Sequence, residues 1–280
     1  MKQKQETQKE ETLAEWLVSQ IARGCSLESM ITSMQVAGYS VNNARDMVVK
    51  AFADAGKLPN HILQAPSAWQ NIMQKRGNMA TIKPVISLNS PRLMVLDDFL
   101  SDAECDVLVQ LSKAKMEDST VIDPVTGQFV KHPERTSRGT HFEHQSSDIV
   151  IAIENRIAEV FGFETKQQEA IQILQYALGG EYKAHFDFFS PSDASSHALI
   201  AEGGQRLATL IMYLNTPLEG GSTDLPNLGL SIRAKKGSAL YFENINQQGE
   251  VDERTLHAGM PIIAGEKWIA TKWLRERDLF

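Results

Sequence analysis

Residues 175–187 place a histidine and a carboxylate, His185 and Asp187, two positions apart. In a β-strand, residues i and i+2 project from the same face, so this imidazole and this carboxylate would point together. His257 follows much later in the chain. Two imidazoles and one carboxylate suit a divalent transition metal, and the lack of a thiolate nearby argues against a structural zinc site. The three side chains predict a metal site, so the fold has to bring them together.

The chain around these residues predicts many short strands. From residue 171 onward, short apolar segments alternate with glycine, asparagine and proline, which is typical of barrels and jelly rolls. Upstream, residues 93–101 predict a strand that leads into a helix with a capping box at Ser101 and Glu104. Residues 148–161 have apolar side chains at helical spacing and predict a second helix. Residues 190–204, rich in polar side chains, are interpreted as a loop at the mouth of a barrel.

Further motifs follow the His185–Asp187 pair in a fixed order. They are Arg206 to Asn215, Glu219 to Pro226, Lys236 to Asn244, His257, and Gly265 to Trp268. In this order and spacing, residues from about 93 to 275 resemble the prolyl 4-hydroxylase branch of the 2-oxoglutarate/Fe(II) dioxygenases. The expected fold class is therefore α+β: a double-stranded β-helix (jelly-roll) catalytic domain with supporting helices, preceded by a small three-helix module.

The resemblance implies a role for each matched residue. The metal ligands would be His185, Asp187 and His257, the facial triad of non-haem Fe(II) oxygenases. Four residues would bind 2-oxoglutarate: Lys267, Tyr176, Thr223 and Tyr213. Four would border the substrate: Tyr182, Arg206, Trp273 and Arg135. Other readings stay open, because Tyr213 and Trp273 also suit ordinary packing and Arg206 suits a surface ion pair.

The activity that the resemblance implies is hydroxylation of peptidyl proline, as in procollagen-proline 4-dioxygenases. The cofactors and co-substrates would be Fe(II), 2-oxoglutarate, O2 and L-ascorbate (vitamin C), with 2-oxoglutarate converted to succinate and CO2. One alternative keeps the iron chemistry and takes a free amino acid or small metabolite. Another is a binding barrel without turnover, against which the complete triad and Lys267 argue.

Two departures from the family pattern concern the substrate side of the site. Arg135, Ser137 and Gly139 match a family motif, but His141 stands where an aromatic residue is common. Relatives also usually have Gly-Gln where this chain has Gly179-Gly180, which a turn tolerates. His132, His141 and His144 are expected to be solvated loop histidines rather than metal ligands, since no acid accompanies them.

Local patterns divide the chain into four parts. Residues 1–10 are predicted to be a disordered tail, 11–57 a small helical module, 58–92 a linker and first strand, and 93–280 the dioxygenase domain. The helical stripes of the module most simply form its own core. Its role stays open between a docking module, a dimer contact and a lid, so a homodimer is one possible assembly.

Composition excludes several classes of protein. The 280 residues carry a net charge of −7, which offers no basic face for nucleic acid. No apolar run is long enough for a transmembrane helix and no secretory signal is apparent, so no membrane association is expected. Cys25 and Cys105 are the only cysteines. Because they fall in different predicted parts, no disulfide is expected and a cytoplasmic location is predicted.

Overall fold

A computed structural model of the protein describes residues 12–57, 82–118, 121–122, 129–130, 136–190 and 193–280. The predicted tail at residues 1–10, most of the predicted linker, His132 and Arg135 lie outside these ranges. Within the described chain, none of the helices combines the length and the apolar character needed to cross a bilayer.

Three helices form the N-terminal unit: α1 (Leu13–Ala22), α2 (Leu27–Val36) and α3 (Val41–Asp54). Thr12 and Glu15 form a capping box at the start of α1, which satisfies backbone N–H groups that the helix leaves unpaired. One cluster of apolar side chains joins the helices: Leu17, Ile21, Leu27, Met30, Ile31, Met34, Ala44, Val48 and Phe52. The role of this unit and its standing as a separate domain stay predictions.

A large sheet and a small sheet form the second unit. The eight strands of the large sheet are β1 (Lys83–Asn89), β2 (Arg92–Asp97), β3 (Glu117–Asp118), β6 (Arg138–Phe142), β7 (Ile171–Tyr176), β9 (Arg206–Tyr213), β13 (Ala239–Glu243) and β16 (Lys267–Arg275). Their spatial order is β1-β2-β13-β9-β16-β7-β6-β3. The four strands of the small sheet are β8 (Tyr182–His185), β11 (Thr223–Leu225), β12 (Leu230–Ile232) and β14 (His257–Gly259), in the order β12-β11-β14-β8.

The chain crosses repeatedly between these two sheets, which is how a double-stranded β-helix is built. From residue 171 onward, β7, β9, β13 and β16 enter the large sheet, while β8, β11 and β14 enter the small one. Two short pairs complete the strands: β4 (Val121–Ile122) with β5 (Phe129–Val130), and β10 (Glu219–Gly220) with β15 (Ile262–Ala264). The predicted α+β fold with a jelly-roll core is confirmed.

Two helices support the large sheet. The first, α4 (Asp102–Lys113), begins with the predicted capping box of Ser101 and Glu104. The second, α5 (Asp148–Phe161), ends at Gly162, whose φ of 79° suits the left-handed cap that glycine favours. Apolar side chains of both helices join those of the sheet in one core cluster. The two predicted helices are therefore confirmed.

The prediction of a loop at residues 190–204 is wrong for most of the segment. A helix, α6 (Ala194–Gly203), lies there. The segment has no apolar stripe at helical spacing, which is the signal that sequence reasoning depends on. Instead, the last carbonyl groups of α6 accept hydrogen bonds from Arg275 and Arg277. These partners are remote in sequence, and no local pattern identifies them.

Strand register orders the side chains on the inner face of the large sheet. Alternate residues of a strand share a face, so Lys267, Ile269, Thr271 and Trp273 of β16 point the same way. On one side β16 pairs with β7: Lys267 with Tyr176, Ile269 with Leu174 and Thr271 with Gln172. On the other side it pairs with β9: Ile269 with Tyr213, Thr271 with Ile211 and Trp273 with Thr209. This face therefore presents a lysine and tyrosines at one end and an indole at the other.

Candidate active site

Strand pairing brings the three predicted metal ligands together. His185 ends β8, His257 begins β14, and the register of the two strands sets them opposite each other. Asp187 follows His185 by two residues. The potential ligand atoms of these three side chains lie within 4.8 Å of one another. This donor set suits a divalent metal such as Fe(II), with positions left open for other ligands.

Backbone carbonyl groups fix the orientation of both imidazole rings. Nδ1 of His185 lies 2.8 Å from the carbonyl oxygen of Lys183, and Nδ1 of His257 lies 2.9 Å from that of Thr255. A carbonyl oxygen only accepts, so each Nδ1 carries the hydrogen and donates it. In the neutral rings, Nε2 is then unprotonated, and it faces Asp187 at 3.7 Å from His185 and 3.5 Å from His257. This is the tautomer that a metal ion requires.

Asp187 is ionised although it is buried. Burial alone would raise the pKa of its carboxyl group. In the metal-free protein, positive charge on His257 and His185 when their rings are protonated, the charge of Arg206 and a hydrogen bond from Thr209 together outweigh burial and hold this pKa below its ordinary value. The carboxylate form is the one that binds a metal.

The predicted 2-oxoglutarate residues also come together. Nζ of Lys267 lies 5.9 Å from the centre of the Tyr176 ring and 5.5 Å from that of Tyr213. The hydroxyl group of Tyr213 donates to Oγ1 of Thr223, on the small sheet, at 2.9 Å. All four side chains are buried. The structure therefore gathers one ammonium group and hydroxyl groups from both sheets.

Lys267 is a buried cation, and among the described residues no anion pairs with it. Its side chain is 2% exposed, and burial lowers the pKa of its ammonium group to about 8, against the opposing effect of the Asp224 carboxylate. In the described parts of the chain, no group forms a hydrogen bond or an ion pair with this ammonium. An unpaired buried charge is costly. The site therefore fits a ligand that supplies a carboxylate.

One cavity of about 1080 Å³ contains both groups of residues. Its wall includes His185, Asp187, His257, Lys267, Tyr176 and Thr223. Tyr213 is not part of the wall and acts on it through Thr223. The volume is at the upper end of small-ligand pockets. The cavity therefore has space for a small dicarboxylate and for part of a second substrate.

Arg206 and Trp273, two predicted substrate residues, form part of the same wall. The guanidinium group of Arg206 lies over the Trp273 ring at 3.8 Å and pairs with the Glu169 carboxylate at 2.7 Å. Arg275 pairs with the same carboxylate at 3.0 Å. Glu169 was missed from the sequence, because a single acidic residue ahead of a strand has no distinguishing pattern. The structure identifies it as the group that joins two arginines beside the cavity.

Of the other predicted substrate residues, Tyr182 lies beside the metal site. Its ring stacks on the His185 ring with the ring centres 3.7 Å apart, and it lines the cavity. Arg135 lies outside the described residues.

Both described histidines that were expected to be solvated loop residues differ from expectation, because His141 lies on β6 and His144 packs against other side chains. His144 is not solvated, because Nδ1 lies 2.7 Å from the buried carboxylate of Glu154 and the ring packs against Phe280. His141 is exposed and lies 3.1 Å from the side-chain amide of Gln172, directly opposite on β7. Both His141 and Gln172 line the cavity. Neither histidine joins the metal site.

The sequence of this chain is similar to a known protein family and to several of its members. Residues 171–275 match the 2OG-Fe(II) oxygenase superfamily. The chain is 37% identical to prolyl 4-hydroxylase 1 of Arabidopsis thaliana over 231 residues, which cover 77% of this chain and 80% of the plant protein. It is 33% identical to the prolyl 4-hydroxylase subunit alpha-1 of Bos taurus over 71% of this chain, but spans only 37% of that subunit.

A solved structure shows the same architecture. The viral collagen prolyl hydroxylase of Paramecium bursaria Chlorella virus-1, solved with 2-oxoglutarate, matches with a TM-score of 0.52 and 31% sequence identity. The match covers 65% of this chain and 95% of the viral protein.

Proposed function

Because the chain belongs to the prolyl 4-hydroxylase family of the 2OG-Fe(II) oxygenase superfamily, it is a dioxygenase that depends on Fe(II) and 2-oxoglutarate, and we propose that it hydroxylates proline within a peptide or protein. The observation that carries this proposal is the shared cavity. The His185, Asp187 and His257 donors and the unpaired ammonium group of Lys267 face the same space.

In this proposal, His185 and His257 bind Fe(II) through Nε2, and Asp187 binds it through its carboxylate. The bound iron would supply the chemistry that couples decarboxylation of 2-oxoglutarate to hydroxylation. The carbonyl groups of Lys183 and Thr255 hold the hydrogens on Nδ1 and so keep both Nε2 atoms available.

Lys267 and Thr223 would bind the far carboxylate of 2-oxoglutarate, beside Tyr176. Oγ1 of Thr223 accepts from Tyr213, so the single hydroxyl hydrogen of Thr223 can point to another acceptor. The ammonium group of Lys267 would gain a counter-ion that the described part of the chain does not supply. Charge-assisted hydrogen bonds of this kind are about twice as strong as neutral ones.

The peptide would enter where Tyr182, Arg206 and Trp273 form the wall, and Arg135 is proposed to border the same groove. O2 as co-substrate and L-ascorbate as the reductant that restores Fe(II) complete the proposal. The chain spans little more than a third of the animal alpha subunits, so its substrate and partners are proposed from the site and the family. A homodimer and a cytoplasmic location stay predictions.

A free amino acid or small metabolite is the second candidate substrate. The observation in its favour is the contact between His141 and Gln172, which gives the cavity wall a polar pair where an aromatic side chain is common in the family. A polar wall suits a compact substrate with several hydrogen-bonding groups.

The test is anaerobic reconstitution with Fe(II) and 2-oxoglutarate, followed by admission of air. Binding should produce the weak visible charge-transfer band of the chelate. Proline-containing peptides should then stimulate succinate formation and yield hydroxyproline. Stimulation by free proline alone would move the substrate to the small-molecule class, and no band under any condition would refute the metal site.

Two histidine variants make this test specific. His185→Ala should abolish turnover while the fold stays intact by circular dichroism. His197→Ala removes an exposed histidine of α6 that does not line the cavity, and it should leave turnover unchanged. A His185→Ala protein that turns over as fast as the His197→Ala protein and the parent would exclude His185 as a ligand.

A further inference from the structure

One face of α6 forms part of the cavity wall. Asp193, Ser196 and Leu199 line the cavity, and residues three apart lie on the same side of a helix. The motifs that this chain shares with the family lie on either side of the helix, at residues 175–187 and from Arg206 onward. We propose that α6 is a specificity wall of the groove, in which Leu199 contacts an apolar residue next to the target proline. This inference rests on the proposed prolyl hydroxylation.

The end of α6 is fixed to the last strand. A helix leaves its final carbonyl groups short of backbone donors, and here two arginines donate to carbonyl groups at and near the end of α6. Nη2 of Arg275 donates to the carbonyl oxygens of Leu199 at 2.6 Å and Gly204 at 2.9 Å. Nη2 of Arg277 donates to that of Ile200 at 2.6 Å. Cations at a helix C-terminus also interact favourably with the helix dipole.

Two glycines allow this close approach. A Cβ atom at Gly203 would lie 2.5 Å from a methyl carbon of Leu279, and one at Gly204 would lie 2.6 Å from Cβ of Glu276. Gly204 also has a φ of 73°, which L-residues with a side chain rarely adopt. The helix therefore ends in tight contact with the C-terminal segment, and the backbone conformation at Gly204 favours glycine there.

The same contacts connect α6 to the wall beside the metal site. Arg275 pairs with Glu169, and Glu169 pairs with Arg206, which lies over Trp273. Nη1 of Arg206 is also 3.4 Å from the carbonyl oxygen of Asp187. A continuous set of partly buried ion pairs and hydrogen bonds thus positions α6 relative to the metal site, as a surface that selects a substrate requires.

Besides the polar Asp193 and Ser196, the cavity wall carries apolar side chains that a substrate can contact. Phe186 and Phe188 stack on each other with ring centres 4.6 Å apart, and both line the cavity with Leu199. Phe186 is 37% exposed, which leaves apolar area that a ligand can cover. The matching substrate is a peptide with an aliphatic or aromatic residue beside proline, because burial of that side chain provides the favourable contact.

The experiment compares peptides that differ only beside the proline, with leucine or serine there. The parent protein should prefer the leucine peptide. Leu199→Ala should reduce that preference about tenfold, through KM, as expected when a pocket loses methyl groups. Leu111→Ala, which truncates an exposed leucine on α4, should leave the KM values for the leucine peptide and the serine peptide unchanged. Saturation by 2-oxoglutarate and Mn(II) affinity should be the same in all three proteins.

A second variant tests the positioning of α6 without touching the wall. Arg277→Gln removes its donors to the helix end and should raise the KM of both peptides, and Arg277→Lys should restore part of the loss. An unchanged peptide preference in Leu199→Ala would overturn the inference while the proposed function stands. No stimulation of the parent protein by any proline peptide would instead refute the proposed function.

Discussion

The hydroxyl group of Tyr213 donates a hydrogen bond to Oγ1 of Thr223 at 2.9 Å and joins the two sheets beside Lys267. Tyr213 belongs to β9 of the large sheet and Thr223 to β11 of the small one. Burial raises the pKa of the Tyr213 hydroxyl group, so it is a donor throughout the physiological range. Its bond fixes the direction in which Thr223 can donate.

Tyr213→Phe should weaken 2-oxoglutarate binding, because Thr223 then loses the donor that orients its hydroxyl group. One buried hydrogen bond contributes about 0.5–1.5 kcal/mol, so we expect a KM for 2-oxoglutarate about two- to tenfold higher. Tyr241→Phe is the matched control, since Tyr241 is also buried but belongs to the core cluster on the helix side of the sheet. An equal change in both variants would contradict a specific role for Tyr213.

Lys267→Met should stabilise the protein without ligands and abolish saturation by 2-oxoglutarate. The pKa of Lys267 falls from 10.5 to about 8, which corresponds to about 3 kcal/mol against the charged form. Methionine removes that cost and keeps similar volume. Thermal unfolding of the metal-free protein gives the stability, and Lys267→Ala should likewise raise the 2-oxoglutarate requirement. A less stable Lys267→Met protein would mean that this ammonium is not an unfavourable charge.

The affinity for 2-oxoglutarate should fall as the pH rises through about 8. The cause is loss of the Lys267 proton, since the pKa of this group is lowered to about 8. Between this value and 10.5 the unfolded chain binds more protons, so the metal-free protein should become more stable with pH there. Titration calorimetry at several pH values measures the affinity. Lys267→Arg, which stays charged, should remove the pH dependence near 8.

Thr209→Val should weaken metal binding. The Thr209 hydroxyl group hydrogen-bonds to Asp187 and accepts a hydrogen bond from Nδ2 of Asn244 at 3.0 Å. Removal of such a supporting partner typically costs about 10- to 100-fold in metal affinity. Co(II) affinity without 2-oxoglutarate measures this, and Thr209→Ser should restore most of it. Ser112→Ala, which removes a buried hydroxyl group of α4, should have no effect.

Glu169→Gln should destabilise the protein, because Arg206 and Arg275 lose their shared carboxylate. Breaking a fully buried ion pair typically costs about 3–5 kcal/mol, and since Glu169 is 18% exposed we expect a cost below that range. Burial opposes ionisation of Glu169, but the charges of Arg206 and Arg275 outweigh it and lower the pKa. Its contribution to stability is therefore present above the unfolded value near 4.3 and lost as the pH falls through the folded one.

The comparison for this prediction is Glu104→Gln, which breaks the ion pair between Glu104 and Arg156 on the supporting helices. Both variants should lose stability in denaturant titrations, whereas only Glu169→Gln should raise the KM for peptide. Unchanged peptide kinetics in Glu169→Gln would assign this carboxylate to stability alone.

Local sequence patterns were enough to predict the chemistry of the site and the type of fold. His185 and Asp187 are separated by the period of a strand, and that spacing predicted their shared direction. The capping box of Ser101 and Glu104 predicted where α4 begins, because it acts through neighbouring residues. Such signals are local, so they can be read without knowing which segments meet in space.

Which distant groups share an environment could be seen only in the folded chain. Glu169 is an isolated acidic residue in the sequence, and β7, β9 and β16 must pair before it can hold Arg206 and Arg275. Helix α6 has no apolar stripe, and carbonyl groups near its end accept hydrogen bonds from arginines far along the chain. The pKa of Lys267 depends on burial between two sheets. Burial, ion pairing and remote capping are properties of the assembled fold, because each depends on groups that only folding brings into contact.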